Sequence, residues 1–294
     1  MANVKIYTNK AGITRRLKEA GIKITGKPTQ DNIGVLIELD DHILSVDITR
    51  KFLEEKAAEL LKFGVGKPQL QKIELIVREV AAERDFLKRL YQNTCGKSWT
   101  DLKVKPTRWN TTSALSDWEG VDMATCRTTI GRAVVLAKRV VGLSLRNHYL
   151  HGNYEKGAYG NIPDDIEVLT CLKTLGLNYN FLERSLPATL GNLRNLKVLR
   201  LEFNHIMKGL PKLDHLDSLE ELYLDHNHLE GGINELTKLK KLKKCHIYHN
   251  KFSGMVPEEL ADKKDLTEFR CYNNFLQYGK KVQARIKSDP GWEG

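Results

Sequence analysis

Leucines and one asparagine recur through the second half of the chain in the pattern L-x-x-L-x-L-x-x-N-x-L. Alternating leucines turn one side of a short strand towards a core, and copies at a constant interval stack their strands in parallel. Five full copies follow one another at intervals of 23 or 24 residues. We expect each pattern asparagine to bond buried backbone groups of adjacent coils and so to form a ladder. The ladder residues are Asn180, Asn204, Asn227, Asn250 and Asn274, and an earlier degenerate copy has His148 in this place.

Glycine and proline follow the ladder position in several coils, for example at Gly209, Gly231 and Pro187. With these residues the repeat resembles the leucine-rich repeat family, and specifically its plant-type subclass, over about residues 90–276. The resemblance implies an α/β fold, a leucine-rich repeat solenoid with a parallel β-sheet on its concave face, preceded by a helical cap.

The tryptophan-rich segments Leu90–Trp99, Trp109 and Ser116–Val121 look like the N-terminal cap of that family. In secreted plant receptors a disulfide cysteine stands where this chain has Met123, and here Cys126 lies three residues further on. This departure from the family pattern favours the free-standing, intracellular form that is known from protists.

Local patterns upstream predict a small N-terminal α/β unit of no recognised family. They indicate a strand at Val4–Tyr7, a helix capped by Asn9 and ending near Ala20, a hairpin of Ile33–Leu39 with His42–Val46, and a helix ending at Gly64. A longer helix over about Gln69–Tyr91 is expected to pack on the open end of the solenoid. The predicted domains are 1–66 for the small unit, 67–142 for the helix and cap, 143–276 for about six coils, and 277–294 for a basic C-terminal tail.

Charge is unevenly distributed along the 294 residues, which carry 47 Lys and Arg against 37 Asp and Glu. Residues 1–142 have a net charge of +8, residues 143–276 are neutral, and residues 277–294 have +2. Such an excess favours acidic partners. We predict no membrane span, because no stretch of 18 residues is apolar and uncharged. Five irregularly spaced cysteines favour free thiols and a cytoplasmic location.

Motifs for catalysis or metal binding are weak. Gly96-Lys97-Ser98 ends like a phosphate-binding loop, but Tyr91 occupies the position where that loop needs glycine. Four histidines, His226, His228, His246 and His249, lie close in sequence, yet the strand pattern turns His228 away from the other three. We therefore expect no enzyme activity, no cofactor and no metal site.

The variable strand positions line up as three columns across adjacent coils and form the candidate binding surface. Tyrosine and arginine, which are enriched at interface hot spots, occur in these columns together with an outward-facing phenylalanine. The predicted partner-binding residues are Arg200, Glu202, Phe203, Tyr223, Asp225, His226, His246, Tyr248, His249, Arg270 and Tyr272.

These observations favour a non-catalytic protein–protein interaction scaffold, a structural subunit of a large cytoplasmic assembly with acidic surfaces, such as a cytoskeletal or ciliary lattice. One alternative is a ribonucleoprotein component that binds RNA through the basic N-terminal part. Residues 1–66 hold only three aromatic residues for base stacking, which favours a protein partner over nucleic acid. A second alternative is an intracellular ligand sensor.

Overall fold

The structure is a computed structural model that describes residues 4–20, 22, 35–39, 46–99, 109–153 and 158–294. Its contacts divide the chain into two compact units. The first unit comprises Met1–Asp85, Thr111–Asp117 and Met123–Val140. The second unit comprises Phe86–Asn110, Trp118–Asp122 and Val141–Gly294. This division differs from the predicted boundaries at residues 66 and 142, because one long helix and two long strands each contribute residues to both units.

The first unit is built from short strands and helices around two apolar clusters, to which alternate residues of its sheet contribute. Its elements are β1 (Val4–Tyr7), α1 (Lys10–Glu19), β2 (Val35–Leu39), α2 (Val46–Glu55), α3 (Ala57–Leu61), the first part of α4 (Lys67–Asn93), most of β3 (Val121–Ile130) and most of β4 (Ala133–Ser144). Strand β2 pairs antiparallel with β1 and parallel with β4. The predicted strand β1 and the helix capped by Asn9 are confirmed, since the Asn9 side chain accepts the Gly12 N–H at 2.7 Å.

Two predictions for this part of the chain differ from the structure. In the predicted hairpin, Val46 belongs to helix α2 rather than to a strand, and residues 40–45 lie outside the described residues. The long helix was expected to cover the solenoid, but its residues 73–80 pack in the core of the first unit with β2 and β4. Helical periodicity identifies an apolar face and leaves its packing partner open.

The second unit repeats the same coil along its length. Its parallel sheet contains the end of β4, then β7 (Thr174–Gly176), β8 (Val198–Arg200), β10 (Glu221–Tyr223), β12 (Lys244–His246), β14 (Glu268–Arg270) and β16 (Trp292–Glu293). Equivalent residues pair in register, for example Leu175 with Leu199 and Leu222 with Cys245. The pattern leucines are buried except Leu276, which is half-buried, and Cys245 and Cys271 fill two of the leucine positions in the core.

Smaller elements complete the second unit. These are β5 (Gly152–Asn153), β6 (Ala158–Tyr159), β9 (Met207–Lys208), β11 (His228–Gly231), β13 (Lys251–Val256), α5 (Glu258–Asp262), β15 (Phe275–Tyr278) and α6 (Lys280–Ser288). The cap-like tryptophans lie together, with the Trp99 and Trp109 ring centroids 4.9 Å apart and those of Trp109 and Trp118 5.1 Å apart.

The predicted tail is instead a folded end of the solenoid. Helix α6 leads into β16, which pairs with β14, and the Trp292 ring is buried against Phe269. A single tryptophan in a polar segment gives no periodic signal, which is why the sequence pattern missed this last strand.

Candidate functional site

The ladder asparagines fix the geometry on which the candidate site is built. The side chain of Asn204 accepts the Leu182 N–H of the preceding coil and donates to the carbonyl oxygens of Leu177 and Leu201, at 2.9–3.0 Å. Equivalent bonds are made by Asn180, Asn227, Asn250 and Asn274. Because each side chain joins two coils, the residues on either side of the ladder repeat at a fixed pitch.

Directly before the ladder, the chain passes through the left-handed region in every coil. Four aromatic rings occupy this position, with φ between 52° and 57°, and we call them the inner ring row: Tyr179, Phe203, His226 and His249. The rings follow one another at centroid separations of 4.5, 4.0 and 4.5 Å, and the planes of the first three are nearly parallel. The repeated turn therefore stacks the side chains of four coils into one line.

Directly after the ladder runs a second line of rings, the outer ring row, which consists of Tyr149, Phe181, His205 and His228. Their centroids are 5.8, 5.9 and 5.7 Å apart along the row. The outer row thus repeats with the same coil period as the inner row, at a slightly wider spacing.

Between the two rows lies an open groove of about 550 Å³, the aromatic groove, whose lining includes the ladder residues Asn180, Asn204 and Asn227. Four of its rings expose 36–43% of their surface: Tyr149, Tyr179, Phe181 and Phe203. A contiguous exposed surface of this kind on a folded chain is typical of an interaction site.

The remaining predicted columns lie on the face of the parallel sheet, where the residues pair with one another. The Arg200 guanidinium lies 4.2 Å from the centre of the Tyr223 ring, and the Tyr223 hydroxyl donates to Glu221 at 3.0 Å. Tyr223 is only 8% exposed, so the prediction that it contacts a partner directly finds no exposed ring at this position. Its burial, and next the hydrogen bond with Glu221, raise the pKa of Tyr223 to about 12.

Two carboxylates among the predicted site residues, those of Glu202 and Asp225, are buried. Glu202 accepts a hydrogen bond from the Asn178 amide at 2.7 Å through Oε1, while its Oε2 has no hydrogen-bond partner among the residues that the structure describes. Burial raises the pKa of Glu202, and the charge of Arg200 opposes that rise. Asp225 occupies the equivalent position in the next coil, and its Oδ2 lies 3.1 Å from Nδ1 of His226. These two side chains therefore lie beneath the surface and are not exposed contact groups.

The structure brings some of the predicted site residues together and separates others. Phe203, His226 and His249 line the aromatic groove, whereas His246 lies on the sheet face 2.8 Å from Glu268. The other predicted residues, Tyr248, Arg270 and Tyr272, also lie on the sheet face, where the rings of Tyr248 and Tyr272 stack at 4.7 Å.

The outer ring row was missed, and His228 belongs to the groove instead of pointing away from it. The available signal was an aromatic residue directly after the ladder position in four consecutive coils. Within the described ranges, no group of three or more His, Cys, Asp or Glu side chains is placed to hold a metal ion. No helix among the described residues has the length and apolar character that crossing a membrane requires.

Comparisons with known proteins place this architecture. A family model described as a leucine-rich repeat region matches residues 142–274. Phytosulfokine receptor 1 from Arabidopsis thaliana is 29% identical over 113 residues, which are 37% of this chain and 10% of that receptor, so the match spans about a tenth of the relative's length.

Two solved structures from Arabidopsis thaliana are similar to part of this chain. The leucine-rich repeat ectodomain of the receptor kinase SOBIR1 is 24% identical, with a TM-score of 0.52 over 66% of this chain and 96% of that chain. A chain of the BIR3–SERK2 complex is 25% identical, with a TM-score of 0.48 over 66% of this chain and 95% of that chain.

The predicted fold class is confirmed, and with it the recognition made from the sequence pattern. Solenoids of this kind present extended surfaces for binding proteins, and they are typically binding domains rather than catalysts. Residues 142–274 match the model of a leucine-rich repeat region, and over this part the chain is similar to leucine-rich repeat proteins.

Proposed function

We propose that this chain is a non-catalytic scaffold that binds a protein partner through the aromatic groove and the adjoining face of the parallel sheet. The observation that carries the proposal is the line of exposed rings across consecutive coils. Phenylalanine and tyrosine contribute large, stiff contact areas and are enriched at the centres of protein interfaces.

The backbone of the inner ring row supports this proposal. A left-handed conformation costs an L-residue roughly 1–2 kcal/mol, and asparagine is among the residues that tolerate it best. Asn147 and Asn273 occupy this position at the two ends of the row, while the four coils between them use aromatic residues. Ring stacking, at about 0.5–1.5 kcal/mol per pair, offsets only part of that cost. Rings retained at a conformational cost, with their faces exposed, are consistent with selection for binding.

The finer part of the proposal concerns the setting. We propose that the partner belongs to a large cytoplasmic assembly with acidic surfaces. A cytoskeletal or ciliary lattice is one such assembly. The support for this setting is the net charge of +10, of which +8 falls in residues 1–142. Attachment through those residues should weaken between about 50 and 300 mM salt, because the screening length falls below about 10 Å over this range. Attachment that does not respond to salt would contradict the acidic-surface part.

Co-purification with matched variants tests the binding surface. Phe203→Asn removes the central ring of the inner row and keeps a residue type that the same turn already holds at Asn147 and Asn273. Phe275→Ala is the control, because Phe275 is likewise an exposed phenylalanine next to a ladder asparagine, at 71% exposure, but does not line the groove. Tagged versions of both variants and the wild type are recovered from native extract, and the bound proteins are quantified.

We expect the control to recover the wild-type set of proteins and Phe203→Asn to lose at least nine tenths of one or more of them, with both variants melting within a few degrees of wild type. Equal recovery by all three would refute the groove as the docking surface. RNA that co-purifies with all three, and dissociates steeply with added salt, would favour the ribonucleoprotein alternative.

A further inference from the structure

Backbone N–H groups along the aromatic groove are already used within the solenoid. The backbone N–H groups of Tyr179, Phe203 and His226 donate to carbonyl oxygens of the next coil at 2.9–3.1 Å. In the outer row, the N–H groups of Phe181 and His205 donate to the preceding coil at 2.8–2.9 Å. Their hydrogens are therefore not available to an added β-strand, which binds through main-chain hydrogen bonds.

The spacing of the rings supplies a second constraint on the occupant. Successive rings are 4.0–4.5 Å apart in the inner row and 5.7–5.9 Å apart in the outer row. These values lie on either side of the spacing of about 4.8 Å between neighbouring parallel strands. Two coil steps therefore advance about 9.6 Å along the groove. A ligand whose side chains repeat at that distance places an equivalent group at every second coil.

We propose that the occupant of the aromatic groove is a proline-rich peptide segment in the left-handed polyproline II conformation, an inference that rests on the proposed function and specifies its partner. Three residues of such a helix advance about 9.3 Å, which is close to two coil steps. An extended β-strand repeats every two residues, at about 6.6 Å, which matches neither one step nor two. The polyproline helix makes no internal hydrogen bonds and needs none from the groove lining.

The chemistry of the lining agrees with this occupant. Proline rings pack on exposed aromatic faces, and aromatic-lined grooves are the general recognition mode for such segments. The imidazoles of His205 and His228 lie on the exposed side of the groove, and a neutral imidazole carries one N–H group that can donate to a peptide carbonyl. The groove crosses five coils, a length of about 19 Å, which corresponds to about six residues, or two turns, of the helix.

Fluorescence anisotropy with defined peptides tests the proposal on the full chain. The probe is a fluorescein-labelled peptide of nine L-prolines, and its mirror image of nine D-prolines is the matched control, since it has the same composition and the opposite helical hand. A glycine–serine peptide of equal length is the control without proline. Cellohexaose, a sugar oligomer, is added as a competitor to test whether the groove prefers a carbohydrate. The protein variants are Phe181→Ala, which removes an outer-row ring, and Phe275→Ala outside the groove.

We expect saturable binding of the L-proline peptide, at least tenfold weaker binding of the D-proline and glycine–serine peptides, and at least tenfold weaker binding by Phe181→Ala, which corresponds to about 1.4 kcal/mol. Phe275→Ala should bind like the wild type. Equal binding of both proline hands, displacement of the peptide by cellohexaose, equal loss in both variants, or no binding would each overturn the proposal. If the L-proline peptide fails while Phe203→Asn still loses its partner, the groove binds protein of another conformation and the proposed function stands.

Discussion

Truncating one ladder asparagine, Asn227→Ala, removes a side chain that joins two coils at the centre of the repeat region. The Asn227 amide donates to the carbonyl oxygens of Leu201, Leu224 and Asp225 at 2.9–3.2 Å, and its oxygen accepts the Ile206 N–H at 2.9 Å. The side chain is buried. Its removal is costly only to the extent that these four backbone groups find no other partner.

Three of the four groups retain a hydrogen bond after the truncation. The Leu201 carbonyl still accepts from Asn204, the Leu224 carbonyl from Asn250, and the Asp225 carbonyl from the Phe203 N–H. The Ile206 N–H has no other acceptor among the described residues. Leaving the buried Ile206 N–H unsatisfied lowers the free energy of unfolding by about 1–3 kcal/mol, and losing the other hydrogen bonds of Asn227 lowers it by about 0.5–1.5 kcal/mol more. We therefore expect a destabilisation of about 3 kcal/mol.

Thermal and urea unfolding of the variant measure this loss. A change of about 3 kcal/mol lowers the melting temperature by roughly 6–12 °C in a domain of this size. Asn195→Ala is the matched control, because the Asn195 amide makes one bond to the Thr170 carbonyl at an exposed position and should cost at most about 0.5 kcal/mol. If Asn227→Ala melts within a degree of this control, the ladder does not hold the coils together.

Further predictions concern thiols, pH and the end of the solenoid. Alkylation followed by mass spectrometry at pH 8 should modify Cys95 in minutes and Cys245 and Cys271 only after unfolding, because burial raises the pKa of both core thiols. Rapid labelling of either core thiol in the folded protein would contradict their placement. Since burial raises the pKa of Glu202 above its ordinary value of 4.5, its ionised form destabilises the fold at pH 7, and this penalty fades as the pH falls through the raised pKa. Glu202→Gln should accordingly melt above wild type at pH 7 by a margin that shrinks towards pH 4.5, and a margin independent of pH would count against the burial of this carboxylate. Trp292→Ala should lower the free energy of unfolding in urea by about 3–5 kcal/mol, because it leaves a cavity at a site that is 98% buried. An unchanged urea midpoint would mean that residues 279–294 do not close the solenoid.

The repeat region was predictable because its signal is redundant. Every coil repeats the same buried leucines, so an exception such as Cys245 does not obscure the register. The first unit lacks this redundancy. Its strand β2 takes partners from residues 4–7 and 133–137, and a five-residue apolar run does not specify which distant strands it joins.

The candidate site was predictable in part for a similar reason. Strand alternation places Arg200 and Tyr223 on the same face but does not reveal that the guanidinium covers the ring. The aromatic groove depends on the left-handed turn before each ladder asparagine, which brings the residues on both sides of the ladder to one surface. That turn has no sequence signature when its residue is Tyr, Phe or His, since only glycine and asparagine mark such a conformation.

Site-specific photo-crosslinking tests whether the aromatic groove contacts a protein partner. A benzophenone amino acid is placed singly at position 203 or 181 in the groove, or at position 275 or 194 as exposed controls outside it. After irradiation in native extract, we expect both groove positions to yield an adduct of the same mass, containing the same protein, and the control positions to yield none. Adducts at positions 275 and 194 that equal those at the groove positions, or no protein adduct at positions 203 and 181, would contradict this expectation.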